Sequence, residues 1–291
     1  MNPLPNFNIH RPRTIGEALM LLSELEDARP IAGGTDIIPL LRDRVLHAKN
    51  LVDLSLIGDL RGIREESSMI HVGPTTTMSQ ITSSELIKRR APALVEAARS
   101  VGSPQTRNLS TIGGNLCNAS PAADSAPALL VLDAEVDLAS SEGSRHIMVQ
   151  EVFAGPKICS LKPEEILTDI SFPIPPETST TSFQKLGRRR GYTLSQVNAA
   201  SYLEFDGPVC CDARLALGAV ASKPLRVREA EEILWNRRLS EKLVEEASSL
   251  CSGLVHPIDD IRASANYRRA MSCILVRRAL NRAWEMGRRF T

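Results

Sequence analysis

The chain has 291 residues, 43 % hydrophobic and 24 % charged, with 35 basic against 34 acidic side chains and a formal net charge of +1. That suits one large or two modest globular domains and leaves no broad positive field to attract nucleic acid. No run approaches the ~18 consecutive apolar residues of a membrane span, and "MNPLPNFNIHRPRT" lacks the apolar centre of a secretory signal, so a cytoplasmic protein is expected.

In chain order, "TIGEALMLLSEL" opens with a capping box, Thr14 followed three residues on by Glu17. Ile15, Ala18, Leu19, Leu22 and Leu25 recur at helical spacing, which predicts an amphipathic helix over 14–25. "ARPIAG" is a short strand broken by Gly33-Gly34, "DIIPLLRDR" a short helix and "NLVDLS" a second strand. This β–α–β reading covers residues 1 to about 55. Two short strands follow at 62–66 and 69–73. "ELIKRRAPALVEAARSVG" is helical, with Pro92 at the first turn of a second segment. "PAADSAPALLVLDAEVDLAS" reads as a helix running into a strand near 135–139, and "EEILTDISFPIP" as a strand ending in the Pro-rich "PIPPETST". A domain boundary is expected there, near residue 177.

Beyond it, "SFQKLGRR", "VNAASYLEF" and "ARLALGAVA" read as strands, the last two joined through Asp206-Gly207. "RVREAEEILWN", "SEKLVEEASSLCSGL" and "ANYRRAMSCILVRRALNRAWEMG" read as helices, the last with a buried stripe at Ala270, Cys273, Ile274, Leu280 and Ala283. Strands followed by helices predict a small antiparallel sheet with helices on one face.

Two glycine pairs carry the chemistry. "PIAGGTDIIP" places Gly33-Gly34 between a strand and a helix, and "TIGGNLCNASPAADSAP" places Gly113-Gly114 on the way into another. A diphosphate needs main-chain N–H groups at close range, and glycine permits both that approach and positive φ. A strand–Gly-Gly–helix junction adds unpaired N–H groups and the helix dipole. Thr35 and Thr111 put a hydroxyl beside each pair, and Asn115 adds an amide. Neither pair matches G-x-G-x-x-G or the P-loop. Composition and spacing lead to a phosphate cradle or to two tight turns, and do not choose between them.

The remaining chemistry is sparse. Cys117, Cys159, Cys210, Cys211, Cys251 and Cys273 form no C-x-x-C and read as reduced thiols. An iron–sulfur cluster needs four well-spaced thiolates, so none is expected in this chain. The five histidines show no ligand spacing. No metal site, nucleophile–base pair or catalytic residue is expected. Asp124 reads equally well as a helix-terminal acid, Lys185 as a surface strand lysine, Arg188–Arg190 as a solvated charge run and Tyr192 as a loop aromatic.

Taken together, "IAGGTDIIPLLRDR", "TIGGNLCNASPAADSAPALL" and "FQKLGRRRGYTLSQVNAA" resemble, in order and spacing, the FAD-binding subunit of molybdenum hydroxylases. This is the medium subunit of the carbon monoxide, nicotinate and xanthine dehydrogenase group. "FNIHRPRTIGEALMLLSE" and "YRRAMSCILVRRAL" extend the resemblance over nearly the whole chain. It implies an α+β protein: a two-lobed FAD-binding domain of the vanillyl-alcohol oxidase (PCMH) type at 1–177, with lobes at about 1–55 and 56–177. A CO dehydrogenase flavoprotein C-terminal-type domain of antiparallel sheet plus helices would follow at 178–291.

The resemblance also implies a site. Ala32, Gly33, Gly34, Thr35 and Asp36 match the first FAD loop, and Thr111, Gly114 and Asn115 the second, closing on the diphosphate. Asp124 matches an acid that meets the sugar or ribityl part, and Leu167 an apolar contact to the rings. Lys185 matches a lysine near the flavin ring, and Tyr192 a position where some relatives place a tyrosine over the ring and others an acid. Cys117 falls where relatives usually carry an apolar residue, so its main chain and not its thiol is expected to matter.

The implied role is electron transfer. A large subunit with a molybdopterin-type molybdenum cofactor oxidises the substrate, and a small subunit with two [2Fe-2S] clusters relays electrons. FAD in this chain hands them to an acceptor, in a heterotrimer that is often doubled. A free-standing flavin oxidase or reductase is the alternative within the fold, but the carboxy-terminal part is short and histidine-poor for one. A scaffold subunit without cofactor is the other alternative, and the retained glycine pairs, Thr35, Asn115 and Asp124 argue against it.

Overall fold

The first helix begins as its sequence dictates: Thr14 Oγ1 accepts the Glu17 N–H at 3.2 Å, one of the donors a helix start leaves unpaired. Glu17 Oε2 reaches past the box position to the Arg13 N–H, 2.7 Å. The computed structural model describes residues 3–189 and 191–288. The first lobe runs β1 (Asn8–His10), α1 (Ile15–Glu24), β2 (Ala28–Ile31), α2 (Ile37–Arg42) and β3 (Asn50–Asp53). Its sheet is parallel, in the order β1-β3-β2, because each neighbour is reached by a crossover. Successive side chains of β3 face opposite ways. Val52 packs with Ala18, Leu22 and Leu60, and Leu51 with Leu41 and Ala48 on the other face.

The second lobe opens with the hairpin β4 (Ile63–Glu66) and β5 (Met69–Val72). Six short helices follow: α3 (Met78–Ser83), α4 (Glu85–Arg90), α5 (Pro92–Ser100), α6 (Pro104–Leu109), α7 (Ile112–Cys117) and α8 (Ser125–Leu130). Then come β6 (Glu135–Ser140), β7 (Gly143–Met148), the small hairpin β8 (Phe153–Gly155) and β9 (Ile158–Cys159), and β10 (Ile166–Pro173). The sheet is antiparallel, in the order β4-β5-β10-β6-β7. One core joins it to the helices, with Ile70, Val72, Leu94, Ile112, Leu129, Leu138 and Phe172 buried together.

The chain then forms β11 (Ser179–Gly187), β12 (Ser195–Asp206), β13 (Val209–Gly218) and β14 (Leu225–Arg226), followed by α9 (Arg228–Leu234), β15 (Arg237–Arg238), α10 (Glu241–Leu254) and α11 (Ala265–Gly287). The antiparallel order is β11-β12-β13-β14, with β15 on the far end of β13. The sheet has helices on both faces, not one. Val197, Ala199, Leu203, Leu215 and Leu217 pack with α9–α11. Phe183, Ala200, Tyr202 and Ala216 join the core of the second lobe. A strand covered on both faces reads as a continuous apolar run, which is the pattern of "VNAASYLEF". The join is polar as well: Thr181 Oγ1 accepts the Ala93 N–H (3.0 Å) at the start of α5, and Glu96 accepts the Phe183 N–H (2.8 Å).

The stripe of α11 differs from the one its hydrophobicity predicts. Ala270 is exposed and Cys273 and Ile274 are half-buried. The buried face carries Arg268, Ser272, Leu275, Val276, Ala279, Leu280 and Ala283. Arg268 sets this phase by donating to the carbonyls of Gln196 (2.6 Å) and Ala219 (3.0 Å), so a cation occupies the inward face. No helix of the described residues is long and apolar enough to cross a membrane.

Candidate functional site

The two glycine stretches meet. A β-carbon on Gly33 would lie 1.9 Å from the Leu109 carbonyl oxygen and 3.1 Å from Ser110 Cα, so only glycine lets the first lobe reach the second here. Gly34 turns the chain at φ +69°, a region L side chains disfavour, and its carbonyl accepts the Ile38 N–H (3.1 Å) of α2. Ala32 and Thr35 are half-buried along the same loop.

The second pair is not a turn. Gly113 and Gly114 lie inside α7, whose N-cap is Thr111 with its hydroxyl accepting the Gly114 N–H at 3.2 Å. Glycine costs a helix about 1 kcal/mol against alanine, and tertiary contact sets that preference aside. A β-carbon on Gly113 would strike Pro74 at 2.5 Å, and the Gly113 N–H bonds the Pro74 carbonyl at 2.9 Å. Ile112 N–H to Thr76 O (3.1 Å) and Met78 N–H to Ser110 O (2.9 Å) complete the anchorage. Gly114 itself is exposed.

Three polar groups surround this junction. Asn115 Oδ1 accepts from Ser125 Oγ (2.6 Å) and N (3.4 Å); a main-chain donor can only face the amide oxygen, so the NH2 end is turned the other way. Ser110 is buried and its hydroxyl has no partner, an arrangement that ordinarily costs about 1–3 kcal/mol. Asp36 is joined to α7, with Asn118 Nδ2 donating to its Oδ1 at 2.7 Å and Lys157 Nζ to Asn118 Oδ1 at 3.0 Å. Desolvation raises the Asp36 pKa, and the Lys157 charge and the Asn118 hydrogen bond oppose the rise. Burial lowers Lys157, with Asp36 opposing. Ser110, Asn118 and Lys157 carry no local sequence signal, since their meaning comes from the contact between the lobes.

Asp124, expected at the sugar or ribityl part of the ligand, and Lys185, expected near its ring, are bonded to each other. Asp124 stands at the N-cap position of α8 without capping it. Its Oδ2 receives Lys185 Nζ at 2.5 Å, and its Oδ1 receives Ser195 Oγ (2.6 Å) and Asn198 Nδ2 (2.9 Å). Lys185 Nζ also donates to Ser100 O at 3.0 Å. The carboxylate and its ammonium partner thus tie α5, α8, β11 and β12 together. Leu167 is buried in the core of the second lobe. Tyr192 is 60 % exposed with φ +53° on the turn between β11 and β12, which Arg189 closes onto the carbonyls of Gly191 (3.0 Å) and Tyr192 (2.9 Å). Arg190 lies outside the described residues.

No cluster of three or more His, Cys, Asp or Glu side chains among the described residues could hold a metal ion. A cleft of about 750 Å³ opens elsewhere, between Lys88–Arg90, Pro175–Glu177 and Glu285–Met286; the glycine junction is a seam between lobes.

The family profile described as FAD binding domain in molybdopterin dehydrogenase matches residues 5–175, and that of the CO dehydrogenase flavoprotein C-terminal domain matches residues 182–283. The chain is 35 % identical to the carbon monoxide dehydrogenase medium chain of Afipia carboxidovorans, over 96 % of each chain. It is 32 % identical to the xanthine dehydrogenase FAD-binding subunit of Escherichia coli O157:H7, over 94 % of each. The solved carbon monoxide dehydrogenase of Hydrogenophaga pseudoflava that lacks the Mo-pyranopterin moiety superposes with a TM-score of 0.94 at 31 % identity, covering 97 % of this chain and 99 % of that one. Two relatives named for different substrates are almost equally similar, so resemblance in this subunit does not follow the substrate. These relatives are subunits of oxidoreductases, and this chain belongs with them to the FAD-binding medium subunits of the molybdopterin dehydrogenase family.

Proposed function

We propose that the chain holds FAD across the seam between its lobes and passes electrons from partner iron–sulfur clusters to an external acceptor. The observation that carries this is the meeting of Gly33 with Leu109–Ser110, where a buried hydroxyl is left without a partner. A diphosphate supplies acceptor oxygens for such a donor, and an exposed Gly114 beside it gives close access to the main chain. The residues present therefore fit the group.

In this reading Ala32, Gly33, Gly34 and Thr35 offer main-chain N–H groups and a hydroxyl from one side. Ser110 and Asn115 donate from the other, and Gly114, without a side chain, leaves the start of α7 open to close approach. Thr111 holds the start of α7, and Asp36, through Asn118, keeps the two loops in register. Asp124 and Lys185 hold β11 and β12 so that Tyr192 stands at the ring end, where its face can stack and limit access. Leu167 supplies apolar backing. FAD bound there supplies the chemistry that links one-electron clusters to a two-electron acceptor.

The chain would work beside a large molybdenum-cofactor subunit and a small subunit with two [2Fe-2S] clusters, with a domain boundary near residue 177. Reconstitution with FAD followed by gel filtration tests the reading. Flavin should co-elute with the wild-type chain and be lost from Gly114→Asp, which sets bulk and negative charge against the diphosphate while the circular dichroism stays native. A wild-type chain that elutes without flavin, or Gly114→Asp that retains it tightly, contradicts the proposal.

A further inference from the structure

The cleft of about 750 Å³ lies where the chain passes from one family domain to the other, between the end of α4, the proline-rich crossover at 175–177 and the end of α11. Its volume is that of a small-molecule site. The elements around it are bonded to one another. Thr181 Oγ1 accepts the Ala93 N–H at 3.0 Å, and Thr180 Oγ1 donates to Ala283 O at 2.9 Å, so α5, β11 and α11 fix its walls.

One group in this cleft is left unfinished by its surroundings. Arg90 ends α4 with its side chain 18 % exposed, and its Nη2 meets Glu177 Oε1 at 3.4 Å. Its Nε is buried and has no hydrogen-bond partner. Nε and Nη2 form the edge of a guanidinium that takes two oxygens of one anion at once. The protein fills that edge elsewhere: Arg145 holds Glu165 through it at 2.7 and 2.8 Å, and Arg226 holds Glu231 at 2.9 and 2.6 Å. Glu177 does not fill it on Arg90. Its side chain is 82 % exposed and reaches one nitrogen at the long end of an ion pair, and a buried donor without an acceptor is costly.

We propose that the cleft binds a small organic anion whose carboxylate or phosphate head takes the Arg90 Nε–Nη2 edge and displaces Glu177. Such a head answers both N–H groups, where Glu177 answers one. Arg89, exposed and without a partner among the described residues, supplies a second cation. Lys88 is engaged by Glu85 at 2.7 Å. With Glu177 displaced, three cations of the lining face the single carboxylate of Glu285. Pro175, Pro176 and Met286 give the same cleft an apolar wall, and a methionine thioether suits contact with a planar ring. The ligand chemistry is therefore an anionic head on a flat apolar body. The site shares no residue with the glycine junction and does not rest on the FAD reading.

The test titrates the full chain by calorimetry, with and without saturating FAD. Benzoate and adenosine monophosphate carry the two heads on planar bodies, and inorganic phosphate is a head alone. At least one organic probe should bind saturably, about tenfold or more above inorganic phosphate and with an affinity that FAD leaves unchanged. Arg90→Lys keeps the charge and loses the paired edge, and Arg89→Ala removes an exposed cation. Each should weaken binding about tenfold, the effect of one hydrogen bond to a charged group. Arg89→Ala carries the test even where Arg90→Lys fails to fold. Glu177→Gln removes the competing carboxylate and should tighten binding several-fold, which a purely structural role for the Arg90–Glu177 pair does not predict. No saturable binding of either organic probe, displacement by FAD, or equal affinities in the wild type, Arg89→Ala and Glu177→Gln overturns the site. Inorganic phosphate binding as tightly as the organic probes overturns the assignment of an organic ligand.

Discussion

Lys185 Nζ lies 2.5 Å from Asp124 Oδ2 in a pair whose side chains are 12 % and 9 % exposed, and the remaining Asp124 oxygen is taken by Ser195 and Asn198. A charge so enclosed is stabilised by its partner and costly without it. Asp124→Asn leaves the Lys185 ammonium against a neutral amide and should lower unfolding stability by about 3 kcal/mol in urea. Lys185→Met should cost a similar amount. The double variant should recover at least ~1 kcal/mol of the summed loss, as a double-mutant cycle on a direct pair requires. Strict additivity would mean the two do not interact.

Glycine substitutions should separate by position and sign. Gly33→Ala drives a β-carbon into the Leu109 carbonyl at 1.9 Å, so the lobes must part. We expect a loss of about 1–3 kcal/mol, the usual range for overpacking, together with weaker FAD binding. Gly16, inside α1, has nothing within 4 Å of its β-carbon position. Gly16→Ala should stabilise the chain by roughly 0.5–1 kcal/mol and leave FAD affinity unchanged. Thermal unfolding of both, followed by flavin titration, gives the comparison; equal effects would discredit the contact between lobes.

Acid should loosen the segment ahead of α11. Burial alone would raise Asp260, but the amides of Arg262 and Ala263 and the guanidinium groups of Arg262 and Arg268 outweigh it and hold the carboxyl well below the usual carboxylate range. A depressed folded pKa adds stability above the unfolded pKa, and this is lost as pH falls through the folded one. Stability should therefore decline below about pH 4, with Asp260 accounting for roughly 1 kcal/mol after solvent screening. Asp260→Asn should be less stable at neutral pH and show a shallower acid limb. An unchanged limb would assign the acid sensitivity to other groups.

What the sequence reveals here is set by how local the cause is. The β–α–β lobe is legible because Thr14, Glu17 and the apolar spacing of α1 act within one helix. Gly33-Gly34 is legible as a loop for the same reason. Gly113-Gly114 misleads, since glycine disfavours helix and only the contact with Pro74 shows why α7 forms there. The phase of α11 is hidden because a buried cation, Arg268, sits where hydrophobicity looks for an apolar residue. Asp124 and Lys185 stand 61 residues apart, so their union has no local pattern. Ser110 is the clearest omission: nothing beside it in the sequence marks a hydroxyl that folding buries without a partner.

That hydroxyl gives the sharpest test of the FAD seam. In the apo chain, Ser110→Ala removes an unpartnered buried donor and should leave stability equal or raise it by up to about 1 kcal/mol. In an equilibrium fluorescence titration the wild-type chain should bind one FAD saturably. Ser110→Ala should bind about tenfold more weakly, the ~1.4 kcal/mol of one hydrogen bond to a charged group. Absence of saturable binding by the wild type, or identical affinities in the two chains, would contradict the assignment of this seam as the FAD site.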